Sequence, residues 1–220
     1  MQRDEAGSVA PCAFGAPFRE RLRQLFVWRR DVRRFRRDAL PEGTLERLID
    51  LAALAPSVGL SQPSRFVVVK DAARRAAIRT CYSDCNKEAL AAQRPEKADL
   101  YARLKLAGLN EAPGHLAVFA DPETRQGDGL GRRTMPETID YSVVLAIHTM
   151  WLAARAEGLG LGWVSILDPA RVCEILEVPA GWHFIGYLCI GYPQAEDNTP
   201  ELEREGWERR RSASKLLFYR

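Results

Sequence analysis

The stretch Arg29-Arg30-Asp31-Val32-Arg33-Arg34 sets one carboxylate inside a run of guanidinium groups, and Arg36 and Arg37 extend the run. Arginine's planar fork matches the oxygens of phosphate or carboxylate, so a field this dense suits an anion. A lone acid among such neighbours is expected to be ionised at neutral pH. The plainer reading is a solvated basic patch with Asp31 as its internal counter-ion, and other residues have to decide between the two. Ala55-Pro56-Ser57-Val58-Gly59-Leu60-Ser61-Gln62-Pro63 offers hydroxyls, an amide and a glycine between prolines. Ser165 follows the alternating glycines Gly158, Gly160 and Gly162, and Arg209, Arg210 and Arg211 form a late basic group. Together these are the inventory of a site for a phosphorylated, flat, polar-edged cofactor such as FMN.

Other chemistries find less support. His115, His148 and His183 lie on a helix or at strand starts with no matching Ser or Cys motif, so no nucleophilic triad forms. The cysteines, Cys12, Cys81, Cys85, Cys173 and Cys189, are scattered and odd in number, as for reduced thiols in a cytosolic protein. Cys81 and Cys85 share a helix face, but no His or second Cys pair accompanies them, so no metal site is expected. The glycine alternation precedes a strand, whereas a dinucleotide fingerprint follows one and opens a helix. A net charge of +3 over 220 residues is too mild for a dedicated nucleic-acid protein. The first fifteen residues carry Asp4 and Glu5 and no apolar run, and no apolar stretch reaches the roughly 18 residues a membrane span needs. A soluble, cytoplasmic protein with neither nucleic-acid nor membrane partner is expected.

The chain around these residues reads as alternating helices and strands. Residues 1–16 read as a flexible N-terminal arm. Phe18, Leu22, Leu25 and Phe26 recur at helical spacing after Pro17, delivering the arginine run at a helix end. A second helix through Leu45, Leu48 and Ile49 must stop before Pro56. Phe66-Val67-Val68-Val69 reads as a buried strand. Residues 72–112 read as polar, poorly periodic helix broken at Pro95, a segment able to act as a lid. His115–Ala120 is a strand, 121–136 a loop, and 137–157 a helix whose apolar residues cover most of its circumference. His148 on that helix is taken as a core or interface residue. The glycines then turn the chain and let backbone approach something flat. A short helix over 169–176 and a strand over 183–190 follow. The remainder is polar and arginine-rich yet ends Leu216-Leu217-Phe218-Tyr219, which a partner subunit could bury. This order predicts an α+β or α/β layered domain.

Several blocks resemble the 5,6-dimethylbenzimidazole synthases, a branch of the flavin-dependent nitroreductases. They are Arg29-Arg30-Asp31-Val32-Arg33, Ala55-Pro56-Ser57-Val58-Gly59, Gln62-Pro63, Leu104-Lys105-Leu106, the stretch Leu152 to Gly158, Gly162-Trp163-Val164-Ser165 and Gly206-Trp207. Asp31 is the discriminating residue, because ordinary nitroreductases usually carry Ser there. The resemblance implies an α+β nitroreductase fold with a central mixed or antiparallel sheet flanked by helices. It implies a flavin domain over 17–195 and an arm over 196–220 exchanged in a homodimer, with FMN at the subunit interface. It implies that reduced FMN, supplied by a flavin reductase or reduced nicotinamide, is the substrate, and that O2 drives its fragmentation to 5,6-dimethylbenzimidazole and erythrose 4-phosphate. A recycling NAD(P)H-dependent nitroreductase is the alternative.

Residue by residue, the resemblance gives Arg29, Arg30 and Arg33, with Val32 between them, to the flavin's phosphate and polar edge. Pro56, Ser57 and Gln62 fall to the loop beside ring and ribityl chain, and Lys105 and Leu106 to the lid. Gly162 and Ser165 fall near the isoalloxazine, and Arg210 is a late phosphate contact. Asp31 and Ser165 are the fragmentation pair. Ser64 stands where the family commonly has an aromatic residue, and Ala107 where it has an acid.

Overall fold

Alternation along one strand decides the layering. In β2, Gly114–Ala120, every residue is buried, and successive side chains point to opposite faces. Leu116, Val118 and Ala120 join one apolar cluster, while Ala117 and Phe119 join another. The sheet is therefore covered on both sides. The structure, a computed structural model, describes residues 13–104 and 107–220. Most of the expected arm over 1–16 lies outside the described residues.

Four strands, β1 (Ser64–Val68), β2, β3 (Gly160–Val164) and β4 (His183–Gly191), pair antiparallel in the order β1-β2-β4-β3. Helices α1 (Ala16–Trp28), α2 (Thr44–Ala52) and α6 (Thr138–Ala156) flank them with α3 (Ala72–Ala91), α4 (Pro95–Arg103), α5 (Gly108–Glu111), α7 (Pro169–Leu176) and α8 (Glu201–Arg204). Leu48 and Ala52 of α2 and Val143, Ile147, Met150 and Ala154 of α6 cover one face; Ile78 and Cys81 of α3, Leu109 of α5 and Val172 of α7 cover the other. Prolines set the helix starts, as at Pro17, Pro95 and Pro169, and the Asp168 carboxylate caps α7 by accepting from the Ala170 and Arg171 amides.

Two expectations change. Phe66, Val67 and Val68 are only half-buried, and Val69 alone of the four is buried, because among the described residues β1 is an edge strand paired with β2. Helix α6 buries one face, while Tyr141, Val144, Leu145 and His148 are exposed opposite it, so His148 is no core residue of this protomer. The close approach that Gly160 and Gly162 allow is made by the chain itself, at Val32. A Cβ on Gly162 would stand 2.2 Å from the Val32 carbonyl oxygen, and one on Gly160 2.7 Å from Val32 Cγ2. The missing side chains let residues 31–32 lie alongside β3, where the Val32 amide donates to the Leu161 carbonyl at 3.0 Å. Gly158, with φ +75°, makes the turn before the strand.

Candidate active site

Asp31 is held by the strand it runs beside. The Trp163 amide donates to Asp31 Oδ1 at 3.0 Å, and the Arg33 Nε stands 3.5 Å from Oδ2. Protein packs around the carboxyl on the β3 side, yet 36% of the side-chain surface opens to a cavity of about 250 Å³ shared with Arg33, Arg34, Gln194, Glu201 and Arg204. Burial pushes the Asp31 pKa above its ordinary value of 3.8 and outweighs the pull of the Trp163 amide and Arg33; Glu201 adds to the rise. Desolvation thus exceeds the field of the neighbouring cations in setting the direction of the shift. Ser165 is exposed just past the end of β3, two residues after Trp163.

The arginines crowd one another, with Asp31, Asp197 and Glu203 as nearby counter-charges. The Arg29 guanidinium lies 4.7 Å from the centre of the Trp151 ring, and Arg30 donates to the Arg29 carbonyl at 2.7 Å and to that of Asn198. Burial lowers both their pKa values, and Arg210 lowers both further, which brings this late arginine to the same place as the early pair. Arg30 Nε is buried without a hydrogen-bond partner. Crowded cations with an orphaned donor fit a phosphate, which supplies both the charge and the acceptor. Arg33 also donates to the Leu104 carbonyl at 3.5 Å; Lys105 and Leu106, the expected lid residues, lie outside the described residues.

Ser57 and Gln62 stand elsewhere. Ser57 Oγ accepts from the Gln62 amide at 3.1 Å, closing a loop in which Gln62 has φ +42°. Pro56 is exposed and Ser57 half-buried. Gln62 Oε1 accepts from Gln126 Nε2 at 2.9 Å, and Ser57, Gln62, Ser64 and Phe66 border a second cavity of about 190 Å³. The Val58 amide ties this loop to Ser142, near the start of α6, at 3.0 Å, whereas Trp151 Nε1 ties the Arg30 carbonyl to the same helix nine residues later, also at 3.0 Å. Nine residues of helix rise about 13.5 Å. One protomer thus brings Asp31 and the arginines together, with Ser165 two residues beyond the Trp163 amide that holds Asp31, and ties Ser57 and Gln62 to the other end of α6.

Residue-type reasoning passed over Trp151, Trp163 and Gln126. Trp151 counted there only as an apolar residue of its helix. Its signal was a polar-tipped indole seven residues before Gly158 on a helix otherwise ending in alanines.

Among the described residues no group of His, Cys, Asp and Glu could hold a metal ion, and no helix is long and apolar enough to cross a membrane. The sequence model of the nitroreductase family matches residues 26–192. A 5,6-dimethylbenzimidazole synthase of Rhodospirillum rubrum is 60% identical over 198 residues, covering 90% of this chain and 94% of the relative. One from Rhodobacter capsulatus is 45% identical over 195 residues, covering 89% and 94%. Among solved structures, oxidised iodotyrosine deiodinase bound to FMN and 3-iodo-L-tyrosine superimposes with a TM-score of 0.68 at 26% identity, over 80% of this chain and 91% of that one. The chain belongs to the nitroreductase family and, within it, to the group of the 5,6-dimethylbenzimidazole synthases.

Proposed function

We propose that this protein fragments reduced FMN, with O2 as oxidant, to 5,6-dimethylbenzimidazole and erythrose 4-phosphate. The observation that carries the reading is Asp31. It is a carboxylate fixed by the Trp163 amide, open to a cavity, with a raised pKa and an exposed serine two residues beyond its anchor. A flavin that is merely recycled needs no base there. Reduced FMN supplies the electrons and the carbon skeleton; the chain supplies binding and proton handling.

Arg29, Arg30 and Arg210 hold the phosphate, and Arg33 the polar edge beside Asp31. Cleaving the ribityl chain from the ring requires a proton to leave a carbon next to a ring nitrogen, and Asp31 takes it. A raised pKa makes a carboxylate a stronger base near neutral pH. Ser165 Oγ, which both donates and accepts, steadies the oxygenated ring. Lys105 and Leu106 close over the flavin. A flavin reductase or reduced nicotinamide supplies the reduced FMN, in the cytoplasm.

The site is completed in a homodimer. Exposed Tyr141, Val144, Leu145 and His148 of α6 lie between the two separated groups, and α1 exposes Phe18 and Phe26 with no buried residue of its own. Pairing protomers across α6 sets Pro56, Ser57 and Gln62 of one against Asp31 and the arginines of the other. The arm over 196–220 then buries Leu216, Leu217, Phe218 and Tyr219, exposed here, on the second subunit.

Asp31→Asn tests the chemistry. FMN binding should persist while 5,6-dimethylbenzimidazole formation falls about 10²- to 10⁴-fold, the usual worth of a positioned base. Product at the wild-type rate in that variant would refute the assignment. Rapid NADPH oxidation with a nitroaromatic acceptor would instead favour the recycling nitroreductase.

A further inference from the structure

The segment that carries the phosphate arginines and the base leans on one indole. Arg29 makes no hydrogen bond or ion pair through its guanidinium among the described residues; its hold is the Trp151 ring, 4.7 Å away. Arg210 repels this guanidinium and Asp31 attracts it, neither through a direct contact, so the aromatic face is the surface that fixes where it points. The same indole donates Nε1–H to the carbonyl of Arg30 at 3.0 Å, the peptide that leads directly into Asp31. Its ring also lies 6.4 Å from that of Trp163, whose amide holds Asp31 Oδ1. Trp151 therefore touches the side chain of Arg29, the backbone of Arg30 and the ring of the residue that anchors Asp31.

We propose that Trp151 is a positioning residue for phosphate recognition: its ring presents the Arg29 guanidinium to the phosphate, and its N–H fixes the Arg30–Asp31 peptide. This rests on the flavin-phosphate reading above. It adds that the preference for a phosphorylated flavin is set by a residue of α6 that itself carries no charge. A residue that only filled the core would affect all flavins alike, whereas a residue that aims a cation affects only the flavin bearing the anion.

The test compares FMN with riboflavin, which lacks the phosphate, by equilibrium binding of the oxidised flavins to the full-length protein, followed by flavin fluorescence. In the wild type FMN should bind more tightly. In Trp151→Leu the ratio of the riboflavin Kd to the FMN Kd should shrink about tenfold, the scale of a desolvated cation–aromatic contact, with the riboflavin Kd nearly unchanged. Trp151→Phe keeps a weaker ring and loses the N–H, so the ratio should fall about threefold. It decides the matter if the leucine variant does not fold. Equal weakening of both flavins, or an unchanged ratio in the phenylalanine variant, would overturn the proposal. A wild type that fails to prefer FMN would overturn instead the phosphate reading on which it rests, so the two failures are separable.

Discussion

The two ends of α6 hold their polar groups in different ways. At the later end, Asp31, Arg29 and Arg30 are tied to distant parts of the chain: to Trp163 of β3, to Trp151 of α6 and to the carbonyl of Asn198. At the earlier end, Ser57 and Gln62 are tied mainly to each other and to Gln126 of the neighbouring loop. The first arrangement suits groups that must keep charge in an unfavourable place, because rigid partners hold crowded cations and a partly desolvated carboxyl in position. The second suits an adaptable wall. The proposed homodimer would set one end of each protomer against the other end of its partner.

That contrast can be broken most severely by separating the two ends genetically. Hybrid dimers isolated from co-expressed Asp31→Asn and Gly59→Leu protomers should regain about half the wild-type product formation, one of their two sites being intact, although each homodimer is inactive. The leucine would strain a loop where Gly59 has φ +55° and an added Cβ would meet the Leu130 carbonyl oxygen at 2.9 Å. A hybrid with no activity would show that each site lies within one protomer. Gly162→Ala sharpens the rigid end. Its Cβ would collide with the Val32 carbonyl oxygen, costing about 3 kcal/mol in chemical denaturation and moving Asp31 out of register.

Smaller effects separate charge from shape. Arg33 lowers the Asp31 pKa, so Arg33→Gln leaves burial less opposed and raises it further. Product formation needs the ionised carboxylate, so its rate rises with pH through that pKa, and the acid limb should move to higher pH in the variant. A limb that stays in place would remove Arg33 from the role. Ser57→Ala at the adaptable end loses one hydrogen bond to the Gln62 amide and should cost about 1 kcal/mol by thermal unfolding, without moving the acid limb.

Much of this was legible before any coordinates. Prolines and apolar spacing placed the helices and strands to within a few residues, and a single acid among arginines drew attention to Asp31. What a linear pattern does not contain is which end of a helix a loop packs against, here nine residues of α6 between the anchors of the Ser57 loop and of the Asp31 segment. The apolar residues of α6 serve two faces, one against the sheet and one exposed, and a helical wheel does not tell a partner from a core. Gly160 and Gly162 looked like room for a ligand because the close neighbour, Val32, lies more than a hundred residues earlier. The direction of the Asp31 pKa likewise depended on burial, which charge counting omits.

The central claim is that the flavin is consumed rather than recycled. The most direct test loads the protein with FMN, reduces it anaerobically, admits oxygen, and follows the flavin spectrum while chromatography looks for 5,6-dimethylbenzimidazole. The account predicts that the benzimidazole appears and that flavin absorbance is permanently lost in proportion. Full return of the yellow spectrum with no benzimidazole would contradict it.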